Sequence, residues 1–347
     1  MNSTSAETPR GEAGNCRRRV LMRADAGRSI GFGHFVRTLA LARYLADDFR
    51  VEVASFNPEG EVSPWQMEQV AESGARFLPV EGTDRDAFDR FFLESVGKED
   101  IVVLDNYYFS TAYQREILAR GARLVCIDDM HDRHFVSDVV MTFCPLRREE
   151  FSLEDSTLFY GGMEWSFLRE PFLRPAVERD AVRPRRVVMA MGGADPQRLT
   201  PKILPLLLEA DPEIKVEVIA GDTVDAGPSD PKRVTIHRRL SAGEVAALFD
   251  RCDLGVFPAS TICVEAFARR LPVAAGYFVD NQEEFFKRGV EAGWFAPLGC
   301  LLDGSEELLP RMRRILSGEP LKPAPNFRFP EQRRKITEIF HRLADKM

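Results

Sequence analysis

Two closely spaced glycines precede a histidine in the stretch Arg23–Leu45, "RADAGRSIGFGHFVRTLALARYL". The glycines are Gly31 and Gly33, and the histidine is His34, where an apolar helical pattern begins. The N-terminus of a helix disfavours an imidazolium, so a histidine placed there stays neutral. A neutral imidazole at a cleft can act as a general base. The alternative is a histidine that only caps its helix.

The glycine turn joins a strand pattern to a helix pattern. Such a turn presents backbone N–H groups at the carboxyl edge of a sheet, where anions commonly bind. A dinucleotide fingerprint would require a third glycine where the chain has Val36, and the sequence contains no P-loop pattern. The turn therefore favours neither a nicotinamide site nor a P-loop nucleotide site.

Three strand ends in the second half of the chain lead into predicted helix starts. They are "MAMGGADPQRLT", "FPASTICVEAF" and "YFVDNQEEFF". If the sheet is parallel, all three lie at its carboxyl edge, where open α/β sheets bind ligands. Together they offer N–H groups and hydroxyls to a diphosphate and a carboxylate to a ribose, whereas singly each is an ordinary cap. The residues are Gly192 and Gly193, Asp195 as N-cap before Pro196, Ser260 or Thr261 as the cap of the helix that holds Glu265, and Asp280 with Glu283 in capping-box spacing.

Short apolar runs alternate with helical patterns along most of the chain. This alternation is typical of βαβ units and a parallel sheet covered on both faces. The strand patterns are Arg19–Ala24, Val51–Phe56, Ala75–Val80, Ile101–Asp105, Arg123–Asp128 and Asp138–Phe143, then Arg186–Gly193, Lys215–Gly221, Arg233–Arg239, Cys252–Pro258 and Leu271–Tyr277. The alternation lapses over about 151–186, where prolines and charges indicate a linker.

The sequence thus predicts two consecutive α/β domains. The second would end with an amphipathic helix, since Ile336, Ile339, Phe340 and Leu343 recur at helical spacing. The predicted boundaries are a disordered arm over 1–18, a first domain over 19–168 that carries the glycine–histidine turn, a linker over 169–185, and a second, nucleotide-binding domain over 186–347.

Composition narrows the functional classes. The chain has 347 residues, a net charge of −7 and 44% hydrophobic residues, which suits a two-domain enzyme and argues against a nucleic-acid partner. We expect no stable membrane insertion, because no apolar run is long enough to span a bilayer. The six cysteines contain no CxxC pair. Together with an N-terminus that lacks the apolar stretch of a secretory signal, they predict a cytoplasmic protein without disulfides or structural zinc.

Seven stretches occur in the order in which a known family has them. They are "RADAGRSIGFGHFVRTLALA", "VLDNYYFS", "CIDDMHDR", "YGGMEWSFLREPF", "MGGADPQRLT", "ASTICVEAF" and "NQEEFF". On these stretches the chain, from about Arg19 onward, resembles the pseudaminic-acid pathway hydrolases of UDP-2,4-diacetamido-2,4,6-trideoxy-β-L-altropyranose and the related spore-coat polysaccharide proteins. The resemblance implies an α/β fold of the GT-B type, with two Rossmann-like domains, parallel sheets and a cleft between them.

The resemblance also implies catalytic roles for three residues. His34 would be the base that activates water to attack the anomeric carbon, which breaks the bond to UDP with inversion. Tyr107 would orient the sugar or the water, or else be a half-buried aromatic residue at a strand end. Asp25 would orient His34 or merely close the turn.

The remaining implied site residues bind substrate. UDP-sugar would be the substrate and UDP a product, and no cofactor is expected, since UDP leaves readily and helix N-termini stabilise its charge. The segment "DDMHDRH", 128–134, is interpreted as a strand-end turn and not a metal site. The implied contacts are Gly31, Gly33 and Arg37 in the first domain, Gly192, Gly193 and Asp195 near the diphosphate, Ser260 and Thr261 on phosphate, Glu265 on ribose, and Asn281 and Gln282 beside the sugar.

Two features depart from the family, and two other functions stay open. Phe257 and Pro258 stand where relatives often have small residues before "AST", and the N-terminal arm has no family counterpart. A glycosyltransferase could use the same site with a sugar or lipid acceptor instead of water. A non-catalytic nucleotide-sugar binding module would have little use for His34.

Overall fold

The computed structural model describes residues 17–27, 29–79, 84–222, 224–227, 230–327 and 329–346. The predicted disordered arm, 1–18, lies outside these residues except for its last two positions. Within them the chain builds two parallel sheets in succession, each covered by helices.

The first sheet has seven strands, all in parallel pairs. The strands of the first half, in chain order, are β1 (Arg19–Arg23), β2 (Arg50–Ala54), β3 (Arg76–Phe77), β4 (Ile101–Asp105), β5 (Arg123–Ile127), β6 (His134–Phe135), β7 (Val139–Thr142), β8 (Ser152–Leu153) and β9 (Leu158–Gly161). The order across the sheet is β3-β2-β1-β4-β5-β7-β9, while β6 and β8 form a separate pair. Strand β4 is buried at every residue, as expected where helices cover both faces.

Four helices connect these strands. They are α1 (Gly33–Leu45), α2 (Pro64–Glu72), α3 (Arg85–Ser95) and α4 (Thr111–Ala119). Ser63, Asp84 and Ser110 cap the last three with their side chains, as short polar residues do at helix starts. Helix α1 has no side-chain cap, so no side chain of its N-cap residue satisfies its first N–H groups.

The second sheet has six strands in the order β12-β11-β10-β13-β14-β15, again all parallel. The strands are β10 (Arg186–Met189), β11 (Lys215–Ile219), β12 (Val234–His237), β13 (Leu254–Pro258), β14 (Val273–Tyr277) and β15 (Phe295–Cys300). The helices are α5 (Leu199–Ala210), α6 (Ala242–Arg251), α7 (Thr261–Ala268), α8 (Asp280–Glu291) and α9 (Ser305–Ser317). The sequence predicted two Rossmann-like α/β halves, and this architecture confirms it.

The last helix, α10 (Gln332–Asp345), packs on the first half of the molecule. Its buried residues Ile336, Ile339 and Phe340 share a hydrophobic core with Val20 and Phe35 of the first sheet and α1. The prediction that the closing helix completes the second domain is therefore wrong in its placement. Helical spacing identifies an apolar face, but it does not identify the surface that the face covers.

Strand positions were predicted more accurately. Every strand pattern in the sequence corresponds to a strand, and Ile101–Asp105 matches residue for residue. The pattern at Ala75–Val80 yields only the two residues of β3. Four strands have no counterpart among the predicted patterns. Strands β6 and β8 have only two residues each. Strands β9 and β15, "LFYG" and "FAPLGC", contain glycine or proline and lack a long apolar run.

Candidate functional site

The glycine turn brings His34 to the carboxyl edge of the first sheet. Gly31 has a φ of +85°, the left-handed region that glycine adopts without strain. Helix α1 then begins at Gly33 with His34 in its first turn. Because no side chain caps α1, the alternative that His34 is a cap does not hold.

The His34 imidazole is held by a carboxylate at the end of β4. Its Nδ1 lies 2.8 Å from Oδ1 of Asp105, and its side chain is 12% exposed. An ionised carboxylate only accepts hydrogen bonds, so Nδ1 carries the proton and donates it to Asp105. In the neutral ring Nε2 then has a free lone pair, and no described residue is hydrogen bonded to Nε2. This arrangement of a base and an orienting acid is that of a general base ready to take a proton.

Asp105 is fully buried and ionised. Arg37 donates to both of its oxygens, from Nε at 2.8 Å and from Nη2 at 2.6 Å, and Thr38 donates from Oγ1 at 2.9 Å. Burial alone would raise the pKa of Asp105, but the charge of Arg37 and the contact with His34 lower it to about 2. The carboxylate therefore remains negative near neutral pH.

Arg37 does not face the cleft as a substrate ligand. Its side chain is 5% exposed, and Nη1 donates to Asp129 at 2.6 Å while Nε and Nη2 hold Asp105. The resemblance implied a substrate contact for Arg37, and the structure instead places it between two buried carboxylates. A buried guanidinium requires such partners, since an unpaired buried charge costs several kcal/mol, about 3–5 by mutational experience.

Asp129 is a site residue that the sequence analysis missed. It follows β5 and accepts hydrogen bonds from Nη1 of Arg37 at 2.6 Å and from Oγ1 of Thr142 at 2.7 Å. Its position directly after a predicted strand is the signal that the sequence offers, but the acidic segment around it equally fits a simple turn.

Tyr107 lies directly against His34. The two rings meet edge-to-face with centroids 4.5 Å apart. The phenol donates to Asp129 at 3.3 Å and accepts from Nδ2 of Asn281, in α8, at 3.3 Å. Burial and the Asp129 carboxylate raise the pKa of Tyr107, so the phenol stays neutral. The structure thus brings His34, Tyr107 and Asn281, one of them from the second half, to one place.

Asp25 is not the carboxylate that holds His34. It is fully buried, pairs with Arg23 at 3.0 Å and Arg85 at 3.2 Å, and accepts from the Tyr108 phenol at 2.7 Å. Both of its oxygens are used in this network. The orienting role implied for Asp25 belongs to Asp105, because β4 adjoins β1 and ends beside the turn.

The loop after β10 lies opposite the glycine turn. Gly192 and Gly193 are both exposed, and Gly192 has a φ of +96°. A Cβ on Gly193 would lie 3.9 Å from the ring of Phe32, which stands between Gly31 and Gly33. The glycine loops of the two halves therefore face each other, and each is open to a ligand.

Asp195 holds its own helix. Helix α5 begins at Leu199, and not near Pro196 as predicted. The Asp195 carboxylate accepts from the backbone N–H groups of Leu199 at 2.7 Å and Thr200 at 2.8 Å. Asp195 thus stabilises the start of α5, and its contact with the diphosphate stays a prediction.

Helix α7 offers an N-terminus at the same edge. Ser260 is its N-cap residue but directs its hydroxyl to the Pro258 carbonyl at 3.3 Å, so no side chain caps the helix. Thr261 is its first residue. The uncapped N–H groups make this end a suitable anion site. Pro258 is one of the two residues that depart from the family pattern. It ends β13 and is buried, so its side chain does not cover the turn before α7.

Two further predicted ligands have protein partners. Glu265 forms a two-pronged ion pair with Arg169, with N–O distances of 2.7 and 2.8 Å, a partner that the sequence did not indicate. Its contact with ribose stays a prediction. Gln282 is 9% exposed and accepts from the Phe278 N–H at 3.1 Å, so it stabilises the start of α8. No side chain caps α8, so the predicted capping box is absent.

The acidic segment 128–134 forms a turn. Asp128 accepts from the backbone N–H groups of Met130 and His131, each at 2.8 Å, and burial raises the pKa of its carboxyl to about 6. Among the residues that the structure describes, no group of histidines, cysteines and carboxylates is placed to hold a metal. In the same residues, no helix has the length and apolar character needed to cross a bilayer.

The class of fold follows from this geometry and from solved structures. The glycotransferase of kitacinnamycin aligns over 94% of this chain and 96% of its own, with a TM-score of 0.56 and 15% identity. MurG of Acinetobacter baumannii aligns over 95% and 100%, with a TM-score of 0.56 and 14% identity. Likeness at this identity shows the fold alone: the chain has the GT-B type of fold that the resemblance implied.

Two curated proteins are similar in sequence, and no family model matches the chain. Uncharacterized protein MJ1062 of Methanocaldococcus jannaschii is 24% identical over 290 residues, which are 77% of this chain but only 57% of that protein. The UDP-2,4-diacetamido-2,4,6-trideoxy-β-L-altropyranose hydrolase of Campylobacter jejuni is 23% identical over 292 residues, 81% of this chain and 97% of the hydrolase.

Proposed function

We propose that the protein hydrolyses a UDP-activated diacetamido-trideoxy sugar at its anomeric carbon and releases UDP, a reaction of nonulosonic-acid or surface-polysaccharide biosynthesis. The observation that carries the proposal is the His34–Asp105 pair, which leaves Nε2 without a partner among the described residues, in a turn that the Gly193 loop approaches at Phe32. The similar hydrolase from Campylobacter jejuni supports the choice of substrate.

The chemistry needs one proton acceptor. His34 Nε2 takes a proton from water while the water oxygen attacks the anomeric carbon, and the bond between that carbon and the diphosphate oxygen breaks. The UDP anion leaves with the bonding electron pair, and the proton remains on His34. Asp105 stabilises the resulting imidazolium through Nδ1, and Tyr107 keeps the ring from turning.

The second half of the chain supplies the nucleotide site in this proposal. The exposed loop at Gly192 and Gly193 lets the backbone approach a diphosphate, and the uncapped start of α7 faces it with N–H groups. Glu265 keeps free lone pairs for a ribose diol beside its pairing with Arg169. We assign 186–331 to nucleotide binding and place the reaction in the cytoplasm.

The test is UDP release in the absence of any acceptor. A panel of UDP-sugars that includes UDP-2,4-diacetamido-2,4,6-trideoxy-β-L-altropyranose is mixed with the protein, and free UDP is followed by chromatography. We expect release with this sugar and a loss of about 10²-fold or more in His34→Ala, the scale of a general base. The matched control is His341→Ala, an exposed histidine paired with Asp48.

Each outcome separates the candidate functions. Reaction in ¹⁸O-water that places the label on the sugar supports hydrolysis at carbon. Turnover only after a sugar or lipid acceptor is added identifies a glycosyltransferase. Tight binding of the sugar nucleotide without any turnover identifies a binding module and rejects the proposed role of His34.

A further inference from the structure

A cavity of 560 Å³ opens beside the ends of β2 and β3 in the first half of the molecule. Its volume lies within the roughly 300–1,000 Å³ typical of small-molecule sites. None of the His34, Asp105 and Tyr107 side chains lines it. Its apolar wall consists of Phe56, Val62, Met67, Phe77, Pro79 and Phe88.

One polar atom in this wall lacks a partner. Ser55 is 2% exposed and lines the cavity, and its Oγ has no hydrogen-bond partner in the structure. Buried hydroxyls are almost always hydrogen bonded, because an unpaired one destabilises the fold. An unpaired hydroxyl at the wall of a cavity therefore indicates a ligand group that can donate to it or accept from it.

The wall of the cavity is joined to the turn that carries His34. Glu59, in the loop between two lining residues, accepts from the Ser29 backbone N–H at 2.9 Å. The ring of Trp65, two residues before Met67, meets Phe32 edge-to-face at 5.5 Å. The loop and the helix that line the cavity are therefore in contact with the turn that carries His34.

We propose that this cavity receives the acetamido and deoxy-methyl substituents of the sugar and selects for them; the proposal rests on the hydrolysis proposed above. Each of the two acetamido groups joins a methyl to an amide, and C6 is only a methyl, which matches a largely apolar wall in which the Ser55 hydroxyl can pair with one amide. Among the described lining residues Glu61 is the charged one, and a carboxylate repels phosphate. The diphosphate therefore belongs to the second half, and the sugar substituents to the cavity.

Two variants test the assignment. Ser55→Ala removes the unpaired hydroxyl, and Val62→Trp fills the cavity from a half-buried loop position. With UDP-2,4-diacetamido-2,4,6-trideoxy-β-L-altropyranose, we expect kcat/KM to fall about five-fold in Ser55→Ala, the scale of one neutral hydrogen bond. We expect a larger fall in Val62→Trp, about 20-fold or more, since the site is then occluded. The dissociation constant for UDP alone, measured by calorimetry, stays within about two-fold of the wild type in both.

Matched controls are available in the chain. Ser137→Ala changes another almost fully buried serine away from the cavity, and Leu302→Trp places a tryptophan at an exposed position of the second half. If both cavity variants match these controls in kcat/KM, the assignment of the cavity is overturned while hydrolysis stands. If the wild type releases no UDP from any sugar nucleotide, the proposed function fails first, and the assignment fails with it.

Discussion

The chemistry of the site depends on which carboxylate meets His34. Asp105 ends β4, Asp25 follows β1, and both are buried, yet only Asp105 is hydrogen bonded to the imidazole. Asp25 has two arginines and a phenol as partners. Asp105 has one arginine, which it shares with Asp129, and its Oδ1 accepts from both Nη2 of Arg37 and Nδ1 of His34.

Asp105→Asn tests this pairing. An asparagine can donate its amide N–H to Nδ1, and the imidazole proton then moves to Nε2, where it blocks the base. We expect kcat for UDP release to fall by about 10²–10⁴-fold, the range that a lost or misdirected base produces. The control is Asp48→Asn, which alters an exposed aspartate paired with His341. Equal activity in the two variants would contradict the role of Asp105.

Asp105→Asn also tests how the free energy of unfolding depends on pH. The pKa of Asp105 is lowered to about 2 in the folded chain, below its value of about 3.9 when unfolded. A lowered carboxyl pKa stabilises the fold above the unfolded value, and this stabilisation is lost as pH falls towards 2. Urea unfolding should therefore show the wild type more stable than Asp105→Asn at pH 7, by about 3–5 kcal/mol for a broken buried pair. The difference should shrink between pH 4 and pH 2; a constant difference over that range would contradict the pairing.

Residue identities at the site were partly predictable. His34 and Tyr107 follow from their motifs, and the structure brings them together. The protein partners of Arg37 and Asp195 could not be predicted from the sequence. An arginine that could bind an anion can equally pair with a buried carboxylate, and an aspartate at a loop can equally accept from the first N–H groups of a helix. Asp129 was missed because its neighbourhood depends on β5 lying beside β4, which a sequence does not state.

Among the structural elements, the turn before α1 contains two glycines with different roles: one provides a left-handed backbone conformation and the other leaves open space at the start of the helix. Gly31 has a φ of +85°, whereas Gly33 begins a helix, and a Cβ on either would meet no atom within 4 Å. We expect Gly31→Ala to destabilise the fold by about 1–2 kcal/mol, the cost of a left-handed conformation. Gly33→Ala should leave stability within about 0.5 kcal/mol and yet lower kcat/KM, because its open space faces the cleft. Thermal unfolding and UDP release measure the two effects. Unchanged turnover in Gly33→Ala would mean that no ligand approaches it.

Helix α8 connects the proposed nucleotide half to the base. Asn281 reaches Tyr107, Phe285 meets Phe143 edge-to-face at 5.1 Å, and Arg288 forms an ion pair with Glu150. A double-mutant cycle of Glu150→Gln and Arg288→Gln should give a coupling energy of about 0.5–1 kcal/mol in urea unfolding. Each of the two single variants should also lower kcat/KM, because the ion pair helps to place α8, which carries Asn281.

The control for this cycle is Lys287→Gln. Lys287 pairs with Glu283 within α8 itself, so it carries no link between the halves. If Lys287→Gln combined with Glu150→Gln gives the same coupling as the Arg288 pair, the connection through Arg288 is not specific.

At the scale of the whole molecule, the alternation of strand and helix patterns predicted two parallel sheets and the loops at their carboxyl edges. It did not predict that α10 returns to the first half. The parallel direction of the strands follows from the helical connections that the sequence displays. The docking of a terminal helix depends on the shape of a distant surface, here α1 and the first sheet.

The return of α10 makes the last turns of the chain part of the first half, which carries the proposed base His34. Phe340 is fully buried in the first core, which also holds residues of α1, the helix that carries His34. We expect Phe340→Ala to destabilise the protein by about 3–5 kcal/mol, as large-to-small changes in a core do. Where the variant is still folded, kcat for UDP release should fall while the dissociation constant for UDP stays close to the wild type, because the proposed nucleotide loops lie in the other half. His341→Ala, on the exposed face of the same helix, is the control for both measurements. A loss of UDP affinity that parallels the loss of turnover would show instead that α10 supports both halves equally.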